Sequence, residues 1–150
     1  VFISFIRIFF VFVFPVIFFV FFILIISFIF FFEAYDALFF FKDTKNQMTE
    51  YGLLWQQDFL LYLSIFVLIL GSLLILLGYR PSFGAILILL YWLPMTFIVF
   101  PFWEAENDVR REVSVHFMKN MAISGGLFLV LVNGAGRWSM RRLFATSYVR

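Results

Sequence analysis

Residues 59–77 read FLLYLSIFVLILGSLLILL, nineteen consecutive positions without a charge, closed by Gly78, Tyr79, Arg80 and Pro81. As a helix this run is about 28 Å long, which matches the ~30 Å hydrocarbon layer of a bilayer. Gly and Pro directly behind it form a strong stop signal. The stretch therefore predicts a helix that crosses a membrane. The whole chain agrees: its 150 residues are 65% hydrophobic and 13% charged, with a mean hydropathy of +1.06, whereas a soluble domain carries about 25% charge. A water-soluble globule is excluded.

Three further spans follow from the same criterion. Before the decisive stretch, residues 1–32 are apolar apart from Ser4, Arg7, Pro15 and Ser27. This is too long for one simple crossing, and Pro15 disfavours helical geometry at Phe14. Residues 1–14 are thus expected as an interfacial or kinked lead-in and 16–40 as the first span. Its length and phenylalanine content, with 17 of the 26 Phe in the first 41 residues, point to a retained anchor rather than a cleaved signal. Lys42 to Asp58 is polar and reads as a short loop or surface helix, with Thr44-x-x-Gln47 as a capping-box pattern. The third span is expected at 83–103, kinked by Pro94 and Pro101, with Trp92, Phe102 and Trp103 near interfaces. Glu104 to Glu112 reads as a charged turn. A less hydrophobic fourth span is expected at 113–132, and 133–150 is a basic tail. The expected fold is an all-α integral membrane four-helix bundle, one transmembrane domain with both termini on the same side.

Charge sorts with that topology. Arg7, Arg80, Arg137, Arg141, Arg142 and Arg150 fall on the terminal side, and Lys42, Lys45, Arg110, Arg111 and Lys119 on the other, together with all nine acids. Acids barely influence insertion, and Lys/Arg are divided six to five. The expected orientation places the termini in the cytosol or mitochondrial matrix.

Chemistry-bearing groups are few. The chain has no cysteine and a single histidine, His116, which excludes disulfides, thiolate metal sites, cysteine nucleophiles and a bis-histidine haem. Phosphate-loop, nucleophile-elbow and zinc-protease motifs are missing, and scattered basic residues form no stripe for nucleic acid. No catalytic or metal-binding residue is expected. His116, Asn120 and Ser124 recur every four positions and share one helix stripe. They read either as a hydrogen-bonding wall for a quinone headgroup or lipid, with Trp103 near the headgroup, or as interhelical glue. Glu33 and Asp36 share a face at the end of the first span, where Arg110 and Arg111 could clamp them. Glu104, Glu106 and Asp108 read as a solvated turn. Ser64, Gly71 and Gly78 recur every seven positions, and Ala122 and Gly126 form a small-xxx-small pair beside Gly125, so these residues are expected in close helix packing.

Two segments carry a family resemblance: Phe83-Gly84-Ala85 before an aliphatic run, and Phe117-x-x-Asn120-x-Ala122-x-x-Gly125-Gly126-Leu127 in the fourth span. Together with a weaker echo in Glu33-Ala34-Tyr35, they resemble the DoxX-like superfamily of small four-span membrane proteins, closest to the branch of HR-like lesion-inducing proteins. The endoplasmic-reticulum cargo receptors of the surfeit locus have a similar Asn-x-Ala-x-x-Gly-Gly-Leu segment. The resemblance implies a four-helix bundle. It leaves activity open, because the superfamily ranges from a membrane subunit of thiosulfate:quinone oxidoreductase to cargo receptors.

The functional expectation is a non-catalytic accessory subunit of a larger hetero-oligomeric complex, with other membrane subunits and lipids as partners, placed in the mitochondrial inner membrane with matrix-facing termini. The alternatives are a quinone-binding subunit of an oxidoreductase and a small-molecule or cargo transporter. Bound phospholipid or quinone is the only ligand class expected.

Overall fold

In a computed structural model the described residues are 13–134, and they form five helices. Helix α1 is Phe14–Phe39, α2 Phe41–Glu50, α3 Gln57–Leu77, α4 Pro81–Val99 and α5 Asn107–Asn133. All but α2 are long and apolar enough to cross a membrane. Most of the expected lead-in over residues 1–14 and of the tail over 133–150 lies outside the described residues.

The helix ends follow from local chemistry. Pro15 stands in the first turn of α1, where a missing N–H costs nothing, so the helix begins at Phe14 instead of after the proline. Gly78 closes α3 with φ 63°, a conformation that favours glycine. It terminates the helix and is also buried. Pro81 then opens α4. The polar segment after α1 is a surface helix. Thr44 does not cap it: its hydroxyl sits inside α2 and donates to the Phe40 carbonyl at 3.0 Å, one turn back.

Two expectations near the third span are corrected. α4 stops at Val99, four residues short of Trp103, because Pro101 pushes Phe100 out of helical geometry (φ −121°, ψ 57°). Pro94 is within the helix, and Pro101 lies beyond it. The charged turn is also shorter than expected. Glu106 is extended and α5 starts at Asn107, so Asp108 lies in its first turn, where a carboxylate complements the helix dipole. Arg110 ties the turn down, donating from Nε to the Phe102 carbonyl and from a terminal nitrogen to that of Trp103, both at 3.2 Å.

The spans pack antiparallel in chain order, α1 on α3, α3 on α4 and α4 on α5, while α1 and α5 meet more sparsely. At one end the Ser82 hydroxyl donates to the Leu131 carbonyl at 3.0 Å, which joins the start of α4 to the end of α5. The core runs down the middle through Ile26, Phe30, Leu68, Ile75, Ile88 and Leu127, and Phe30 meets Trp92 edge to face at 5.2 Å. The tightest crossing is α3 on α4. A methyl on Gly71 would stand 2.5 Å from Ile88 Cγ1, and one on Gly84 would stand 2.6 Å from the Gly71 carbonyl oxygen. Contact that close is how membrane helices gain packing without a hydrophobic drive between them. All nine acids lie toward the end that carries α2 and the 100–106 turn, whereas Arg80 marks the opposite end.

Candidate functional site

On the outer side of the α3/α4 crossing, two stripes enclose a groove of about 410 Å³. Leu60, Leu63, Ser64 and Val67 come from α3, and Leu87, Leu90, Tyr91, Pro94, Met95 and Ile98 from α4. Each set repeats at three- and four-residue steps, so each is one helix face. Thr44 and Met48 of α2, with Leu53, roof the groove at the acid-rich end. Its volume is in the range of small-molecule pockets.

The roof is tied to the wall by polar contacts. Lys45 Nζ lies 2.7 Å from Asp58 Oδ1. The Gln57 amide donates to Thr49 Oγ1 at 2.8 Å and to the Leu53 carbonyl at 2.7 Å. The turn between α2 and α3 uses two positive φ values, Gly52 at 77° and the non-glycine Gln56 at 42°, the second being an unusual conformation that its surroundings must hold.

Inside the groove the polar groups are few and uncharged. Tyr91 and Ser64 both line the groove, and the Ser64 hydroxyl donates to the Leu61 carbonyl at 2.8 Å. Pro94 has no N–H, so the Leu90 carbonyl one turn earlier lacks its ordinary helical donor. Tyr91 therefore offers a hydroxyl and Leu90 a carbonyl within an otherwise apolar trough.

The ligand residues expected from sequence lie elsewhere, around α4 and α5, in dissimilar surroundings. Trp103 is exposed in the turn, donating to Glu104 Oε1 at 3.3 Å. His116 is exposed and stacks on Phe100, ring centroids 5.4 Å apart. Asn120 is half-buried, and its backbone carbonyl accepts from Ser124 Oγ at 2.9 Å and from Trp92 Nε1 at 3.4 Å. Ser124 is buried. The stripe does join helices, but through the carbonyl of Asn120.

Among the expected packing residues, Ser64 and Gly71 are buried in the bundle, and a methyl on Gly126 would stand 3.0 Å from Ile26 Cδ1 of α1. Gly125 and Ala122 are corrected: both are exposed, and a methyl on Gly125 would meet nothing within 4 Å. Sequence reasoning missed Tyr91. The signal available was a polar ring at mid-span, three residues before an intrahelical proline. Among the described residues no group of three or more acidic or histidine side chains is placed to hold a metal ion.

Comparison with protein families matches DoxX over residues 20–101, more than half of the chain. The match takes in α3, α4 and the Phe83-Gly84-Ala85 segment, and ends before the 117–127 segment. Neither a curated protein nor a solved structure matches the chain.

Proposed function

Because the chain belongs to the DoxX family of membrane proteins, we propose that it serves as a non-catalytic subunit held within a larger membrane assembly, with α1 as the helix that meets its neighbours. The observation that carries this reading is the asymmetry of α1. It buries one narrow stripe, Ile23, Ile26, Ser27, Phe30 and Ala34, against its own bundle. The remaining circumference is mostly bulky and exposed, with Phe14, Phe18, Phe21, Phe28, Phe32 and Phe39 each more than half accessible. Phenylalanine is a dense source of dispersion contact. A second cavity of about 390 Å³ opens on this helix beside Leu24, Phe28, Phe31 and Leu76, and Ser27, 1% exposed, borders it with a hydroxyl that has no hydrogen-bond partner among the described residues. Such a recess suits a side chain from another helix.

The mitochondrial inner membrane, with the termini toward the matrix, belongs to the same proposal, and the six-to-five division of Lys/Arg favours that orientation by a single charge. Extraction in a mild detergent followed by native-gel mass spectrometry tests the whole reading. The expected result is co-migration with other membrane subunits. Phe28→Ala should weaken co-migration without lowering the melting temperature of the purified chain, because Phe28 is 69% exposed on the bundle surface. A free native monomer with α1 bare would overturn the reading.

A further inference from the structure

We infer that the groove between α3 and α4 is a binding site for a neutral single-chain lipid, an acyl or prenyl chain with a hydroxyl or carbonyl head, held at its head by Tyr91. The inference stands on a different face from α1 and does not depend on the subunit reading.

Three observations select the occupant. The groove lies between two membrane-spanning helices, so what reaches it comes from the bilayer. Its walls carry no charged residue, and its polar groups are hydroxyls and backbone. The Lys45–Asp58 pair at the roof is already matched. An ionic head would therefore enter a low-dielectric trough whose walls carry no counter-charge, since Glu33 of α1, which acts on Tyr91 through its charge, stands outside the lining. A neutral head meets the opposite situation. Ser64 donates its proton to the Leu61 carbonyl, so it has none left for a ligand, whereas Tyr91 lines the groove with a hydroxyl that can donate. On binding, Tyr91 turns its proton to the head oxygen. A head hydroxyl can in turn donate to the Leu90 carbonyl that Pro94 leaves without its helical donor. From Leu87 to Ile98 the α4 wall is twelve residues, a rise of about 16 Å along the helix. That length and the unbroken apolar lining fit a chain laid along the seam, with the roof of α2 covering it at the interface.

The experiment titrates the full chain in nanodiscs with three amphiphiles that share an oleyl chain: monoolein, oleyl sulfate and oleyltrimethylammonium. Native mass spectrometry reads the retained ligand. Monoolein should be retained at one equivalent, and the two charged probes at least about 10-fold more weakly. Tyr91→Phe should weaken monoolein by about 2- to 12-fold, the loss of one ordinary hydrogen bond. Leu90→Trp should abolish retention by filling the trough; Leu90 is 70% exposed on the wall, so the core is untouched. Leu63→Trp repeats this from the facing helix if Leu90→Trp does not fold. Leu129→Trp, on the exposed side of α5, should change nothing. Equal retention of the three probes, retention by the filled variants, an unaffected Tyr91→Phe, or the same loss in Leu129→Trp would each overturn the inference.

Discussion

The α3/α4 crossing makes a prediction whose size can be worked out from the backbone. Gly84→Ala places a methyl 2.6 Å from the Gly71 carbonyl oxygen and 3.0 Å from Leu74 Cβ. The first neighbour is backbone, so a rotamer change cannot relieve the clash and the two helices must separate. Overpacking of this kind costs about 1–3 kcal/mol, offset by the ~0.8–1 kcal/mol that alanine gains over glycine within a helix. Gly125→Ala provides the matched control, because it makes the same exchange in α5 with nothing within 4 Å of the new methyl. The propensity gain is common to both and cancels in their difference. Gly84→Ala should therefore be less stable than Gly125→Ala by about 1–3 kcal/mol. Gly71→Leu should disrupt the bundle outright, since even its first added atom would lie 2.5 Å from Ile88 Cγ1. Thermal unfolding of the purified variants in one detergent, followed by helical circular dichroism, provides the measurement. Equal stability of the two alanine variants would refute the close crossing.

Further outcomes follow from other contacts. The chain has no native cysteine, so Asn46→Cys in α2 and Arg80→Cys at the other end should react with an impermeant maleimide from opposite sides of the membrane; labelling from one side would defeat the four-span topology. Lys45→Ala should cost less than about 1 kcal/mol, and salt should reduce that cost, because the Lys45–Asp58 pair is exposed to solvent; a cost that high salt leaves unchanged would mean that the roof is held by packing alone. Trp92→Phe keeps the ring against Phe30 but loses the bond to the Asn120 carbonyl, a loss of about 0.6 kcal/mol. Asn120→Leu retains that carbonyl and should cost less; the reverse order would show that the Asn120 side chain carries the contact.

The spans were legible because an uncharged run of nineteen residues has one stable solution in lipid, and residues 59–77 lie within a helix that differs only by starting at Gln57. Boundaries failed where one local preference outweighed hydropathy. Trp103 is aromatic enough to extend a span, but Pro101 ends the helix before it. Val109 and Arg110 look like a turn by composition, yet an extended Glu106 and the acidic first turn suffice to begin α5. Glycine spacing was legible in part, since a seven-residue repeat puts Gly71 and Gly78 on one buried stripe without saying that Gly78 also terminates the helix. The groove was not legible at all. It arises from two stripes 20 to 38 residues apart in the chain, and neither shows in sequence which surface it shares.

Why the bond between α4 and the 116–124 stripe ends on a backbone carbonyl follows from the membrane itself. A hydroxyl in hydrocarbon gains from finding an acceptor, and a carbonyl one turn back on its own helix is the one always at hand. Ser64, Ser72, Thr96 and Ser124 all donate three or four residues back, at 2.7–3.0 Å. Such bonds satisfy the group without choosing a partner helix. The bonds that link α4 to α5, from Ser82 and from Trp92, instead end on the backbone carbonyls of Leu131 and Asn120. A carbonyl belongs to every residue, so these bonds depend on the donor's position and not on the identity of the acceptor residue. Helix order in this bundle is therefore set by shape, by Gly71 against Gly84 and Phe30 against Trp92, and substitutions along the α5 stripe should matter through the volume they change more than through the polarity they remove.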